Sequence, residues 1–293
     1  NAFPKLFPRM AIGLAGEGSE CFGFDDDLSR DHDWGAAFCL WIPDERFYAE
    51  RERIEQAIAC LPKYFEGHIS RMPREHRIGR VGPMPIRGFY KRFLGMEHIP
   101  STWQEWRSIP EYHLCSCTNG SVFMDSTGEF TAIRTALQAY YPEDVRLKKI
   151  AARCMIMAQT GQYNLARSLQ REETVPAMLA AARFAEAALS MTFLLNRRFM
   201  PFYKWAARLA QDLPILGRET VDVLRRFSCT SWNDAEQGIP AVQAALQLCE
   251  RVIQELHAQQ LTDEEGNSLW DHGASVQLGI IEPELRSLNI MED

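Results

Sequence analysis

Residues 16–34, Gly16-Glu17-Gly18-Ser19-Glu20-Cys21-Phe22-Gly23-Phe24-Asp25-Asp26-Asp27-Leu28-Ser29-Arg30-Asp31-His32-Asp33-Trp34, constrain this chain more than any other stretch. The apolar run Met10-Ala11-Ile12-Gly13-Leu14 leads into a glycine-rich turn ending in Ser19. Asp31 and Asp33, one residue apart, lead into a second run, Trp34 to Ile42. Short apolar runs bounded by turn residues read as buried strands, so the chain is expected to begin strand, turn, strand, with the polar stretch at the end of a sheet. On a strand, residues i and i+2 share a face, so the strand read from Asp31 to Ile42 would project both carboxylates together. Two oxygen ligands beside a turn of outward backbone N–H groups suit a magnesium–triphosphate site. An acidic turn, solvated or holding calcium, is the competing reading.

At 293 residues there is chain for one large domain or two ordinary ones, and 46% hydrophobic with 24% charged residues is globular composition. A net charge of −7 gives no general attraction to nucleic acid or to an anionic membrane. No uninterrupted apolar run approaches the roughly 20 residues that cross a bilayer, and the first residues lack the pattern of a signal peptide. Eight cysteines are scattered, only Cys115-Ser116-Cys117 being close-set, which forms no zinc pattern. Reduced thiols in a cytoplasmic protein are therefore expected.

Along the chain, Ser19 to about Phe22 reads as a short helix, and Pro43-Asp44-Glu45 opens a helix to about Cys60 with Phe47, Ile54, Ile58 and Leu61 on one face. His68–Ser70, Arg77–Val81 and Pro85–Tyr90 read as short strands within the most basic part of the chain. Trp103–Trp106 suggests a short helix, and Asn119-Gly120 a turn before the strand Ser121–Asp125. From Glu129 onwards only helical periodicity persists: Pro142 opens a helix closed by Gly161, and further helices cover about 162–172, 175–197, 201–213, 217–227 and 237–260, followed by a polar, loosely specified tail. The expected class is α+β: an N-terminal α/β domain with a mixed sheet over residues 1–128, then an all-α helical bundle over residues 129–293.

The spacing of Gly18-Ser19, Gly23, Ser29 and Asp31-x-Asp33 resembles the signature of the nucleotidyltransferase, or polymerase-beta-like, superfamily. The extended run from Gly16 to Gly35, together with Thr118-Asn119-Gly120-Ser121-Val122-Phe123-Met124-Asp125 and Phe202-Tyr203-Lys204-Trp205, resembles the DUF4037 family over about residues 10–215. The family is regarded as a nucleotidyltransferase-fold group. The resemblance implies a nucleotidyltransferase-like N-terminal domain, with Gly18 and Ser19 holding the phosphates of a nucleoside triphosphate, expected to be ATP. It further implies that Asp31 and Asp33 bind Mg²⁺ or Mn²⁺, and that a nucleotide is moved to a hydroxyl of an unidentified small molecule. Members of the superfamily carry a third acid on an adjoining strand. Residues 80–90 contain none, so Asp125 is the candidate, with turn capping as its alternative role.

In the helical half, Arg167 and Arg171, four apart, would share a helix face and suit a triphosphate unless Glu172 or Glu173 neutralises them. Lys204, between Tyr203 and Trp205, could clamp a nucleotide or lie over aromatic core as a snorkelling side chain. A catalytically silent nucleotide-binding or interaction module is the competing function, and a purely helical scaffold a third. Membrane and nucleic-acid partners are not expected, and nothing fixes the oligomeric state.

Overall fold

The computed structural model describes residues 3–30, 34–77 and 79–293, which fold as two compact units, Asn1–Ser101 with Ile109–Ala139, and Thr102–Ser108 with Tyr140–Asp293. The class is α+β, with a mixed four-stranded sheet and a helical C-terminal region.

The first unit begins with a 3₁₀ turn, Phe7–Arg9, and strand β1, Ala11–Leu14. Two further 3₁₀ turns follow, Ser19–Phe22 and Asp27–Arg30, then β2, Cys39–Ile42. Helix α1, Asp44–Ala59, is followed by a small hairpin of β3, Tyr64–Phe65, and β4, His68–Ile69. Then come α2, Arg74–Arg77, β5, Gly82–Pro85, and α3, Ile86–Leu94. After α4, Trp103–Ser108, which belongs to the second unit, the first unit closes with α5, Glu111–Thr118, β6, Ser121–Asp125, and α6, Glu129–Gln138.

The sheet order is β5-β2-β1-β6, with β1 antiparallel to both neighbours and β2 parallel to β5. Because strand side chains alternate, β2 serves two cores. Trp41 is fully buried, stacks on Phe130 of α6 at 3.8 Å and meets Phe89 of α3 edge-on at 5.4 Å. Leu40 and Ile42 point the other way, to Phe47, Ile54 and Ile58 of α1.

The expected strand over Pro85–Tyr90 is instead the start of α3. Ile86, Phe89, Tyr90, Phe93 and Leu94 are all buried, a 3.6-residue spacing that becomes visible only when the run is followed to Leu94. Pro85 caps the helix and Gly95, at φ 75°, ends it.

The second unit is helical: α4, then α7, Glu143–Met157, a π-helical stretch Ala158–Asn164, α8, Leu165–Gln170, and α9, Thr174–Leu195. It continues with α10, Tyr203–Ala210, α11, Gly217–Cys229, α12, Ala235–Ala258, α13, Leu269–Leu278, and α14, Pro283–Ser287. Among the described helices α9 alone is long and apolar enough to cross a membrane, and most of that stretch is buried in the unit.

Two expectations change here. Gly161 does not close a helix; the chain winds through it, because a Cβ at this position would overlap the ring of Phe184 on α9. The glycine permits a close approach rather than a stop. The polar tail also contains α13, which packs on α7 through Gly273, where a Cβ would press on Cys154 and Met155. Lys148 of α7, fully buried, fastens α13 and the segment beyond it by donating to Gln277 Oε1 at 2.9 Å and to the carbonyl of Asn289 at 2.6 Å. Burial draws the pKa of that ammonium down to about 8.

All eight cysteines are free; Cys60 and Cys229 are exposed, Cys115 is half-buried and the other five are buried. Burial also pushes the Cys115 thiol up to about 12, and the thiolate is the reactive species. Titration of the native protein with a chromogenic disulfide at pH 8 is therefore expected to modify Cys60 and Cys229 rapidly and the remaining thiols only after denaturation.

Candidate functional site

The glycine-rich turn leaves β1 after Leu14 and the buried Ala15, and is fixed by a distant loop. Gly16, at φ +145°, donates its amide to Asn119 Oδ1 at 3.0 Å, while Asn119 Nδ2 donates to the Gly16 carbonyl at 2.7 Å. Gly120, at φ +63°, lies so close to the Leu14 carbonyl that a Cβ would overlap it. Arg134 of α6 braces this corner by donating to the carbonyls of Asn119, at 2.6 Å, and Gly120, at 3.0 Å. From the sequence, Asn119-Gly120 reads only as the turn before β6; its role as anchor for Gly16 depends on a contact across 103 residues.

Beyond Gly16, Gly18 is extended, at φ −70° and ψ 155°, and Ser19–Phe22 makes a single 3₁₀ turn. The side chain of Glu20 folds back so that its carboxylate lies against Gly18, in the space any Cβ there would need. That carboxylate accepts from Arg71 Nη1 at 3.3 Å. Arg71, just past β4, is only 4% exposed, and its Nε and Nη2 are buried with no hydrogen-bond partner among the described residues. The neighbouring Cys39 thiol offers no countercharge, since burial pushes its pKa up to about 11. Glu20 is thus the one carboxylate paired with Arg71 among the described residues. A buried guanidinium with two unpaired N–H groups carries a large unrelieved desolvation cost, which an anion at this position would relieve.

The hydroxyl of Ser19 donates to Asp25 Oδ1 at 2.6 Å and approaches Ser29 Oγ at 3.5 Å. Asp26 accepts from the Ser29 amide at 3.0 Å, and Asp27 pairs at the surface with Arg30. Arg92 of α3 pairs with Glu17 and donates to the Gly79 carbonyl at 2.9 Å. Arg71 and Arg92, from the basic stretch of the sequence, therefore serve the turn.

Asp31 and Asp33 lie outside the described residues. Among the described residues of the strand expected over Asp31 to Ile42, those from Cys39 form it. Residues 34–38 are irregular because Gly35 takes φ +136°, where a Cβ would overlap the Ile69 carbonyl, and Ala36 makes an isolated bridge to Ser70. Asp125 pairs in register with Ala11, at the opposite end of β1 from Leu14 and the glycine-rich turn. Its carboxylate accepts from the amides of Gly128, at 3.0 Å, and Thr131, at 2.8 Å, and so caps the first turn of α6. The structure does not bring it to Ser19. Strand β5, beside β2, carries no acid, and among the described residues no group of three or more His, Cys, Asp or Glu side chains could hold a metal ion.

The candidates of the second unit occupy three places in it. Arg167 of α8 lies over the Tyr163 ring at 4.7 Å, and Arg171 follows the end of that helix. Among the described residues neither forms an ion pair with a carboxylate, Glu172 and Glu173 included. Lys204 lies over the Trp205 ring at 4.9 Å beside the exposed side chains of Phe202 and Tyr203.

No curated protein and no solved structure matches the chain. A family model does: residues 106–206, which contain Thr118–Asp125 and Phe202–Trp205 but not the run from Gly16 to Trp34, match the family described as a domain of unknown function, DUF4037.

Proposed function

We propose that the first unit is a nucleotidyltransferase-like domain that takes a nucleoside triphosphate, with ATP the expected one, at Gly18 and Ser19, and transfers its nucleotidyl group to a hydroxyl of a small molecule. The observation that supports this reading best is Arg71: a buried cation with two N–H groups unpaired among the described residues, beside a glycine whose Cα already faces a carboxylate. Phosphate is the anion whose planar, bidentate recognition suits a guanidinium. Asp31 and Asp33 are the residues that would hold Mg²⁺ or Mn²⁺. Such an ion, when bound, supplies charge neutralisation for the phosphates. In the transfer, the acceptor oxygen forms a bond to the α-phosphorus as the bond to pyrophosphate breaks, and the hydroxyl proton leaves to a base.

A second reading, nucleotide binding without transfer, is favoured by Asp125, whose carboxylate is occupied in capping α6 and pairs at the far end of β1. With Asp125 so engaged, the transfer reading takes the hydroxyl proton to another base or to solvent.

Calorimetry of ATP, GTP, CTP and UTP with Mg²⁺ on the wild type and on Asp31→Ala/Asp33→Ala tests the shared part. At least one triphosphate is expected to bind the wild type, with loss in the double variant. Equal binding by both proteins, or none by either, sinks the metal–triphosphate assignment. Pyrophosphate release in the presence of hydroxyl-bearing acceptors then separates transfer from binding alone.

A further inference from the structure

The second unit contains a cleft that the first unit's chemistry does not use. Where α7 gives way to Ala158–Asn164, the chain makes a seven-residue π-helix. Such turns are rare and are often retained at functional sites. This one is well secured. The Phe184 ring presses against Gly161, leaving no room for a Cβ, and the Thr160 hydroxyl donates to the Ile156 carbonyl at 2.6 Å. The widened turn presents Gln159, Gln162, Tyr163 and Asn164 to a cleft of about 830 Å³, whose other side carries Leu246 and Trp270. Gln162 ties the two walls together: its Nε2 donates to the Asn267 carbonyl at 2.7 Å and its Oε1 accepts from the Leu269 amide at 2.9 Å.

That volume is in the range of small-molecule sites, which are mostly apolar with a few placed polar groups. The lining fits the description and narrows the ligand. None of the lining residues is charged. Tyr163 and Trp270 are 57% and 46% exposed, a large aromatic area to leave in water. Gln159 and Asn164 carry side-chain amides with no partner among the described residues, each able to donate and accept. Arg167, beside the cleft, stacks on the Tyr163 ring and holds it in place. Aromatic faces with neutral amide edges match a flat ring whose rim both donates and accepts, whereas a strongly charged ligand would meet no countercharge in the lining.

We infer that this cleft is a binding site for a neutral planar heterocycle of nucleoside size, stacked on Trp270 or Tyr163 and read at its edge by Gln159 and Asn164. The inference does not depend on the triphosphate site of the first unit.

The test is titration of the full chain, without divalent metal, with adenosine, guanosine, cytidine and uridine, and with maltose as a neutral ring compound lacking an aromatic face. At least one nucleoside is expected to bind with a stoichiometry of one and to change tryptophan fluorescence. Stacking on one aromatic is lost in Trp270→Ala or Tyr163→Ala, so one of the two is expected to weaken binding about tenfold. Gln159→Ala/Asn164→Ala, which removes both edge amides, is expected to weaken it about tenfold, and Asp31→Ala/Asp33→Ala to leave it unchanged. Binding of none of the four nucleosides overturns the inference, as does preference for maltose, or nucleoside affinity that survives both aromatic variants and Gln159→Ala/Asn164→Ala. Loss of nucleoside binding in the aspartate double variant would move the site to the first unit and overturn it equally.

Discussion

Replacing Arg146 by alanine is expected to lower the stability of the second unit by about 2–5 kcal/mol, the range for truncating a large buried side chain. Arg146 is 1% exposed and joins three helices. Its Nε donates to the Leu194 carbonyl near the end of α9 at 3.0 Å, its Nη1 to Glu143 Oε1 at the start of α7 at 2.8 Å, and its Nη2 to Gln259 Oε1 just beyond α12. Removing the guanidinium leaves these acceptors without their donor and opens a side-chain-sized hole, so desolvation and cavity costs add. Arg197 supplies an internal control. It donates to the other oxygen of the same Glu143 at 2.8 Å, but both side chains there are about half exposed, at 53% and 44%. Arg197→Ala is expected to cost under about 1 kcal/mol. Guanidinium unfolding followed by far-UV circular dichroism reads both variants. Similar losses for the two would mean that burial is not what gives Arg146 its weight.

The contrast between these two arginines illustrates how much the sequence discloses. Helix α1 is legible because Phe47, Ile54 and Ile58 repeat at helical spacing and are all buried; β1, β6 and α9–α12 are legible for similar local reasons. Local pattern fails where a residue serves a distant partner. Gly161 carries the propensity of a helix stop, yet its purpose is set by Phe184 on another helix. Helix α13 hides behind the polar run Asp263–Asn267, and its packing face includes His272 and Gly273 beside Leu269 and Val276, which breaks the apolar spacing. His272 is buried because Thr262 and the Gly266 carbonyl satisfy its ring nitrogens, at 3.1 and 2.7 Å. The candidate site divides in the same way. Gly18 and Ser19 stand out by composition and spacing, whereas Arg71 is one of several cations in a basic stretch until its pairing with Glu20, 51 residues away, singles it out. Asp125 has two readings in the sequence, a catalytic acid or a turn cap, because it follows an apolar strand and precedes Ser126-Thr127-Gly128; the register and the amides of Gly128 and Thr131, which only the fold supplies, show its carboxylate engaged as a cap.

If Arg71 is the phosphate partner, then Glu20 is its resident substitute, and the two residues have opposite effects on affinity. Glu20→Gln keeps the size and an acceptor but removes the negative charge lying against Gly18, so Mg²⁺–ATP no longer competes with a carboxylate. Affinity is expected to rise five- to tenfold, about 1–1.4 kcal/mol. The same change leaves Arg71 without its charged partner, so the ligand-free variant is expected to melt below the wild type and to recover more than the wild type does when Mg²⁺–ATP is added, as mass action requires of a ligand that binds the folded state more tightly. Arg71→Lys retains the charge but not the planar fork of donors, and is expected to weaken Mg²⁺–ATP at least tenfold. Calorimetry with thermal melts on the two variants separates the possibilities. A Glu20→Gln protein that binds more weakly would make Glu20 a metal ligand rather than a displaceable anion. An Arg71→Lys protein that melts early yet binds as the wild type does would reduce Arg71 to a brace for the Ser19–Phe22 turn. Only tighter binding in the first variant together with weaker binding in the second fits a ligand phosphate that takes the place of the Glu20 carboxylate on the Arg71 guanidinium.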